Sequence, residues 1–255
     1  MRRQRISTMR RFALGLATSL YATTALAGGL GEMTAEERTL FREEVRAFLL
    51  DNPEVLVEAM DELQRRDQTA ATERDAQLLQ SNAAALFADT DDWVGGNPAG
   101  DVTLVEFMDY RCGYCRKAHD EVNELVKADG NIRYIVKEYP ILGEGSTISS
   151  QFAIAVRMLH GDDAYKAAHD ALITLRGEPT PDVLARLAGE LGHDPAPLMA
   201  KMASPEVMAV IDTNHALAQT MQINGTPTFV INDTMLRGYV PLNDMRSIVA
   251  DERAG

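Results

Sequence analysis

The sequence predicts an α/β domain with a helical segment inserted into it, preceded by a separate helical arm. Three observations predict this. An apolar strand at 102–108, a helix at 116–128 and an alternating strand at 132–138 give the order of a parallel βαβ unit. Helical stretches then fill 149–160, 164–175, 181–191, 195–202 and 205–221, most of them separated by Gly, Pro or Asp. A strand at 228–232, a hairpin partner at 235–240 and a helix from 242 to about 250 close the chain.

The 255-residue chain opens on what reads as an export address. Arg2, Arg3, Arg5, Arg10 and Arg11 form a basic start without an acid. Residues 12–26 are mostly apolar or small, and Ala25-Leu26-Ala27 supplies the small-x-small cleavage pattern of a secretory signal. The apolar run is too short and too rich in Thr and Ser for a membrane anchor. The expected boundaries are a signal peptide at 1–27, a helical arm at 28–95, and the α/β domain at 96–255 with its insert at about 144–221. Cleavage would remove five of the 25 basic residues and none of the 38 acidic ones, leaving a net charge of −18. So acidic a surface repels phosphates, and no basic stripe offsets it, which excludes a nucleic-acid partner.

In the arm, Thr34 and Glu37 form a T-x-x-E capping box, and Phe41, Val45, Phe48 and Leu49 share one helical face. Asn52 suits an N-cap and Pro53 a first turn, so a second helix starts there. Val55, Leu56, Ala59, Met60 and Leu63 form its apolar face. Between 64 and 77 apolar residues are sparse, as in a solvated helix or a connector. Two helices this small cannot bury a large core alone. Their faces need either another subunit, the preferred reading, or the domain of the same chain. The stretch 89–100 is dense in turn formers and reads as the boundary loop, with Trp93 anchoring it. The strand at 102–108 is apolar on both alternations except for Thr103 and Glu106, as in a strand covered on both sides. Met158, Met199, Met202, Met208 and Met221 lie in helical stretches and read as core fillers.

The chain has two cysteines, in Cys112-Gly113-Tyr114-Cys115. A bridge across so short a loop restrains the unfolded chain little, so stability is a poor reason for the pair. Its place between a strand and a helix is a chemical reason. Cys112 falls where free N–H groups and the helix dipole favour an anion, which lowers a thiol pKa from ~8.5. Cys115 lies a turn further in, able to attack a mixed disulfide and release the substrate. A structural zinc site needs four ligands, and no second ligand pair is present. His119, one turn after Cys115, could join the cysteines in a three-ligand site, but reads first as an exposed helix residue. No residue is assigned to a metal.

The strand, C-x-x-C, helix, helical insert and late Gly225-Thr226-Pro227-Thr228 resemble the DsbA-like periplasmic thiol–disulfide oxidoreductases, over about 96–250. The Gly113-Tyr114 dipeptide is similar to that of the isomerases DsbC and DsbG, and the arm at 33–87 to the oligomerisation segment of ScsC-type members. The resemblance implies a thioredoxin-like fold in the periplasm, with no bound cofactor. It implies secreted protein substrates with cysteines, a membrane redox partner of DsbD or DsbB type, and a homo-oligomer formed through the arm. It makes Cys112 the nucleophile and Cys115 the resolving thiol, tuned by Gly113 and Tyr114. Thr226 and Pro227 become the cis-proline loop that binds substrate backbone, and Glu106 a buried acid that assists proton transfer. Glu106 could instead stand at a strand edge facing water, and Arg111 either adds positive charge near Cys112 or is simply exposed. Disulfide isomerisation or reduction is the favoured direction. A dithiol oxidase, a copper-handling thiol protein and a chaperone-like binding module are the alternatives.

Overall fold

The computed structural model describes residues 33–254; the expected signal peptide, 1–27, lies outside them. The described residues divide into two compact units, which part between Leu63 and Gln64.

In the first unit, α1 (Ala35–Asp51) starts at the expected capping box. Glu37 N–H donates to Thr34 Oγ at 3.2 Å, and Thr34 N–H donates to the Glu37 carboxylate at 2.8 Å. Asn52 works backwards rather than as the cap of the next helix. Its backbone N–H and its side-chain amide both donate to Phe48 O at 2.9 Å, closing the end of α1. The next helix, α2 (Glu54–Ser81), runs without a break through the polar stretch 64–77. No described residue of this unit is buried. Leu40, Phe41, Phe48, Leu56, Met60 and Leu63 are all exposed.

The second unit is built on a five-stranded sheet of order β1-β3-β2-β4-β5. Its centre is the expected βαβ unit: β2 (Val102–Met108), α4 (Gly113–Asp129) and β3 (Ile132–Glu138), with the two strands parallel. β4 (Thr228–Ile231) pairs antiparallel with β2, and β5 (Thr234–Arg237) with β4. Strand parity decides which side chains meet. Leu104 and Met108 of β2 join the core that contains Cys112 and Cys115. Val105 and Phe107 face the opposite core, with Leu79 of α2 and Leu86 of α3 (Ala83–Phe87). Glu106 shares the parity of Leu104, so the alternation turns it toward the cysteines' side.

The turn-rich stretch holds an edge strand instead of a plain loop. β1 (Trp93–Gly96) pairs antiparallel with β3. Trp93 Nε1–H donates to Asp162 O at 3.0 Å, and the ring stacks on Tyr165 at 5.5 Å. Gly95, which read as a turn former, makes room for it: a Cβ there would lie 2.1 Å from the Trp93 ring. Lys137, fully buried, donates to Ala85 O at 2.7 Å and pairs with Asp92 at 2.5 Å, tying α3 and the entry to β1 onto β3.

The insert consists of α5 (Glu144–His160), α6 (Asp162–Thr174), α7 (Pro181–Glu190), α8 (Pro195–Met202) and α9 (Pro205–Thr220), and α10 (Leu242–Ala254) closes the unit. Of the methionines expected inside, Met202 and Met221 are buried, and Met199 and Met208 are half-buried against the core. Met158 is exposed, because the last turn of α5 extends past its covered part. Leu86→Ala should lower unfolding free energy by about 3 kcal/mol, the size of a buried leucine truncation. Denaturant titration checks this, and an unmoved midpoint would show that α3 does not pack on the sheet.

Candidate active site

The loop between β2 and α4 is held by one carboxylate. Asp109 is fully buried. Its Oδ1 accepts from Arg111 N at 2.7 Å, and its Oδ2 from Ile141 N at 2.8 Å and Leu142 N at 3.0 Å. Its own carbonyl accepts from Cys112 N at 3.1 Å. So pinned, Cys112 takes extended φ and ψ (−72°, 120°) as the N-cap of α4. It stands where the helix's first N–H groups lack backbone partners.

Cys112 and Cys115 are both free thiols, and both are buried. Their acidities are driven apart. Hydrogen bonding from the Cys115 thiol, helped by the backbone N–H groups of Cys115 and Tyr114, brings the Cys112 pKa down to about 5 against the cost of burial. The same contact, with burial and the charge of Glu106, pushes Cys115 far above the ordinary thiol range. The fall from the ordinary thiol range to about 5 favours the anion in the folded state. Since the folded pKa is the lower one, this stabilises the reduced fold fully above pH ~8.5 and is lost as pH falls through about 5. The arrangement thus holds one sulfur as an anion at neutral pH and the next as a thiol.

The other expected residues gather around this pair. The Thr226–Pro227 peptide is cis, and Thr226 O lies 3.1 Å from Cys112 Sγ. Beside it runs a groove of about 260 Å³ lined by Gln222, Asn224, Thr226, Pro227 and Arg237, among others. Glu106 is 3% exposed, which excludes the water-facing alternative. It accepts a hydrogen bond from the Tyr134 hydroxyl. Burial pushes its pKa up to about 7 against that bond, and the nearby Cys112 and Glu138 charges add to the rise. Gly113 has open space where a Cβ would stand. Tyr114 is 62% exposed and stacks on Tyr239 at 6.0 Å. Lys117 Nζ lies 4.0 Å from the centre of the Tyr239 ring, and the Tyr239 hydroxyl donates to Glu121 at 2.7 Å.

Arg111 is neither a free cation nor simply exposed: it donates to Gly177 O at 2.5 Å and to Glu178 at 2.6 Å, tying the loop to the insert. His119 does not extend the cysteine pair into a ligand set; it groups with His169 and Asp170. Sequence reasoning missed Asp109, Tyr134 and Tyr239. Asp109 had a signal, an acid at a strand end three residues before the N-cap, where Asp often accepts from backbone. The two tyrosines had none, since their partners are distant in sequence.

The Cys115 thiol is the first cause of the Cys112 acidity. Cys115→Ala should therefore raise the midpoint of Cys112 thiolate absorbance at 240 nm by about one pH unit, the scale of a single hydrogen bond. Cys115→Ser, which keeps a donor, should move it less. An unmoved midpoint in the alanine variant would reject this origin.

Residues 88–251 match the family described as Thioredoxin, and residues 37–70 the family described as Copper resistance protein ScsC N-terminal domain. A thioredoxin-like oxidoreductase from Silicibacter pomeroyi is 42% identical with a TM-score of 0.63, covering 68% of this chain and 98% of its own. The thiol-disulfide exchange protein alpha-DsbA2 from Wolbachia pipientis is 26% identical (TM-score 0.67, covering 71% and 97%). Proteus mirabilis ScsC in a transitional conformation is 26% identical (TM-score 0.64, covering 89% and 99%). The chain spans about a quarter of the length of the curated relatives it matches first, among them Na+/H+ antiporter NhaA 1 of Salinispora arenicola, at 29% identity over 164 residues. With a βαβ-centred sheet, two cysteines at a helix start and a cis-proline loop against the first sulfur, the chain belongs to the thioredoxin family.

Proposed function

We propose that the protein carries out thiol–disulfide exchange on secreted proteins in the periplasm. The observation that carries the reading is the split acidity of the pair, an anionic Cys112 beside a protonated Cys115. The Cys112 thiolate attacks a substrate disulfide, forms a mixed disulfide and expels one substrate sulfur as a thiolate. Cys115 then loses its proton and attacks Cys112 Sγ, which releases the second substrate thiolate and closes the Cys112–Cys115 disulfide. Glu106, with a pKa of about 7, is a suitable acceptor for the Cys115 proton. Thr226 and Pro227 hold the substrate backbone at the first sulfur, and Gly113 and Tyr114 tune the pair. A membrane protein of DsbD type returns the electrons, or one of DsbB type removes them.

Isomerisation or reduction is the preferred direction. It is supported by the Gly113-Tyr114 dipeptide, by Thr226, since a threonine before that proline is similar to the isomerase-type members, and by an arm suited to joining subunits. The arm's support is physical: α1 and the described start of α2 leave a set of large apolar side chains uncovered in a single chain, more than scattered surface residues account for. A homo-oligomer formed through residues 33–63 would cover them. The basic-then-apolar start at 1–27 supports export.

Scrambled ribonuclease tests the direction. The reduced protein should restore its activity, Cys112→Ser should abolish that restoration, and Glu106→Gln should slow the resolving step by on the order of tenfold. Rapid dithiol oxidation without unscrambling would make it an oxidase, and absence of exchange in either direction would reject the reading. Light scattering on full-length protein and on a form lacking residues 28–63 checks the assembly: a single-subunit mass for the full-length form would reject the arm's role.

A further inference from the structure

Away from the sulfurs, the fold brings together His119 on α4 with His169 and Asp170 on α6. One ring nitrogen from each histidine and one carboxylate oxygen lie within 4.8 Å of one another, and His119 Nε2 is 3.1 Å from Asp170 Oδ1. In tetrahedral zinc sites imidazole and carboxylate ligands lie about 2.0–2.2 Å from the ion. Neighbouring ligand atoms are then some 3.3 Å apart, so a small contraction closes the set.

The buried histidine is already oriented for this. His169 is 2% exposed, and its Nδ1 lies 3.1 Å from the Tyr110 hydroxyl. That hydroxyl spends its one hydrogen on Glu138, at 2.7 Å. Tyr165 and Ser150 donate to the same carboxylate, at 2.6 Å and 2.7 Å. With Glu138 ionised, the Tyr110 oxygen can only accept toward His169, so Nδ1 carries the ring proton. Nε2 is left with a lone pair and no hydrogen bond to a described residue. An imidazole whose second nitrogen is fixed through a hydrogen-bonded chain to a carboxylate is the usual outer shell of a metal-binding histidine.

Two groups occupy these atoms when no ion does. Lys166 Nζ donates to both oxygens of Asp170 at 2.6 Å, and the Asn123 amide lies 3.1 Å from His119 Nε2. The Lys166 and Asp170 side chains are 33% and 44% exposed. Lys166 can therefore turn into water, and an ion can enter from that side. We infer that His119, His169 and Asp170 bind one divalent transition ion of the zinc class, bridging the helix that carries the cysteines to the helical insert. Two imidazoles and one carboxylate suit such an ion and leave a coordination position open. This revises the sequence-based expectation, which assigned no residue to a metal.

The test uses the full chain, chelator-stripped and with Cys112 and Cys115 oxidised to a disulfide, so no thiolate competes and the outcome is independent of the exchange reading. Calorimetric titration with Zn²⁺ should show one ion per chain. His119→Ala and Asp170→Asn, both at the open side of the cluster, should each weaken binding at least about tenfold, while Lys166→Ala, which removes the competing cation, should tighten it. A given concentration of the ion should raise the thermal midpoint of the parent chain more than that of His119→Ala. No uptake by the parent chain would overturn the proposal, as would an affinity unchanged in both weakening variants. The latter would place the ion elsewhere, for instance on the stacked His160–His193 pair.

Discussion

The chemistry of this fold depends on keeping a negative charge on a nearly buried sulfur. Burial alone opposes that charge. The opposition is overcome by hydrogen bonding: the Cys115 thiol first, then Thr226, then the backbone N–H groups at the start of α4. Those donors are in place only because Cys112 is held as the N-cap, and it is so held because Asp109 gathers three backbone N–H groups from the two loops around it. A buried carboxylate thus organises the site that favours a sulfur anion.

The same low-dielectric setting raises the acids around the pair. Glu106 and Glu138 lie on different strands, both buried, and both have pKa values near 7. Glu106 accepts from one hydroxyl, that of Tyr134, and Glu138 from three, those of Tyr110, Tyr165 and Ser150. Neither is locked into one protonation state near neutral pH. Contacts at the rim link the cysteine loop outward. Arg111 reaches the insert through Gly177 and Glu178, and Tyr114 leans on Tyr239 of the segment before α10.

Much of this was legible in the sequence, for reasons that differ by element. The strands at 102–108 and 132–138 were legible because alternation and apolar content agree with their burial on both faces. Cys112 and Cys115 were legible because a C-x-x-C between strand and helix has one mechanical consequence. Glu106 was readable as an acid in an apolar strand, but only strand parity and burial decided between the two environments offered for it. The edge strand at Trp93–Gly96 was hidden because Gly95 makes room for the tryptophan ring and Gly96 for the Ile132 backbone, rather than for a turn. His119 looked exposed because its partners, His169 and Asp170, lie some fifty residues away on another helix. Lys137 was unreadable for the same reason: a lysine in a buried strand has meaning only once Asp92 and Ala85 are in contact with it.

The central claim is that the first sulfur is an anion at the pH at which the protein works. Iodoacetamide trapping of the fully reduced chain over a series from pH 3 to pH 10, with the modified cysteine located by mass spectrometry, measures it directly. The account predicts a single reactive site at Cys112, with half-maximal rate near pH 5 and Cys115 left unmodified. Half-maximal reactivity near ~8.5, the behaviour of an ordinary free thiol, or equal labelling of the two cysteines, would contradict it.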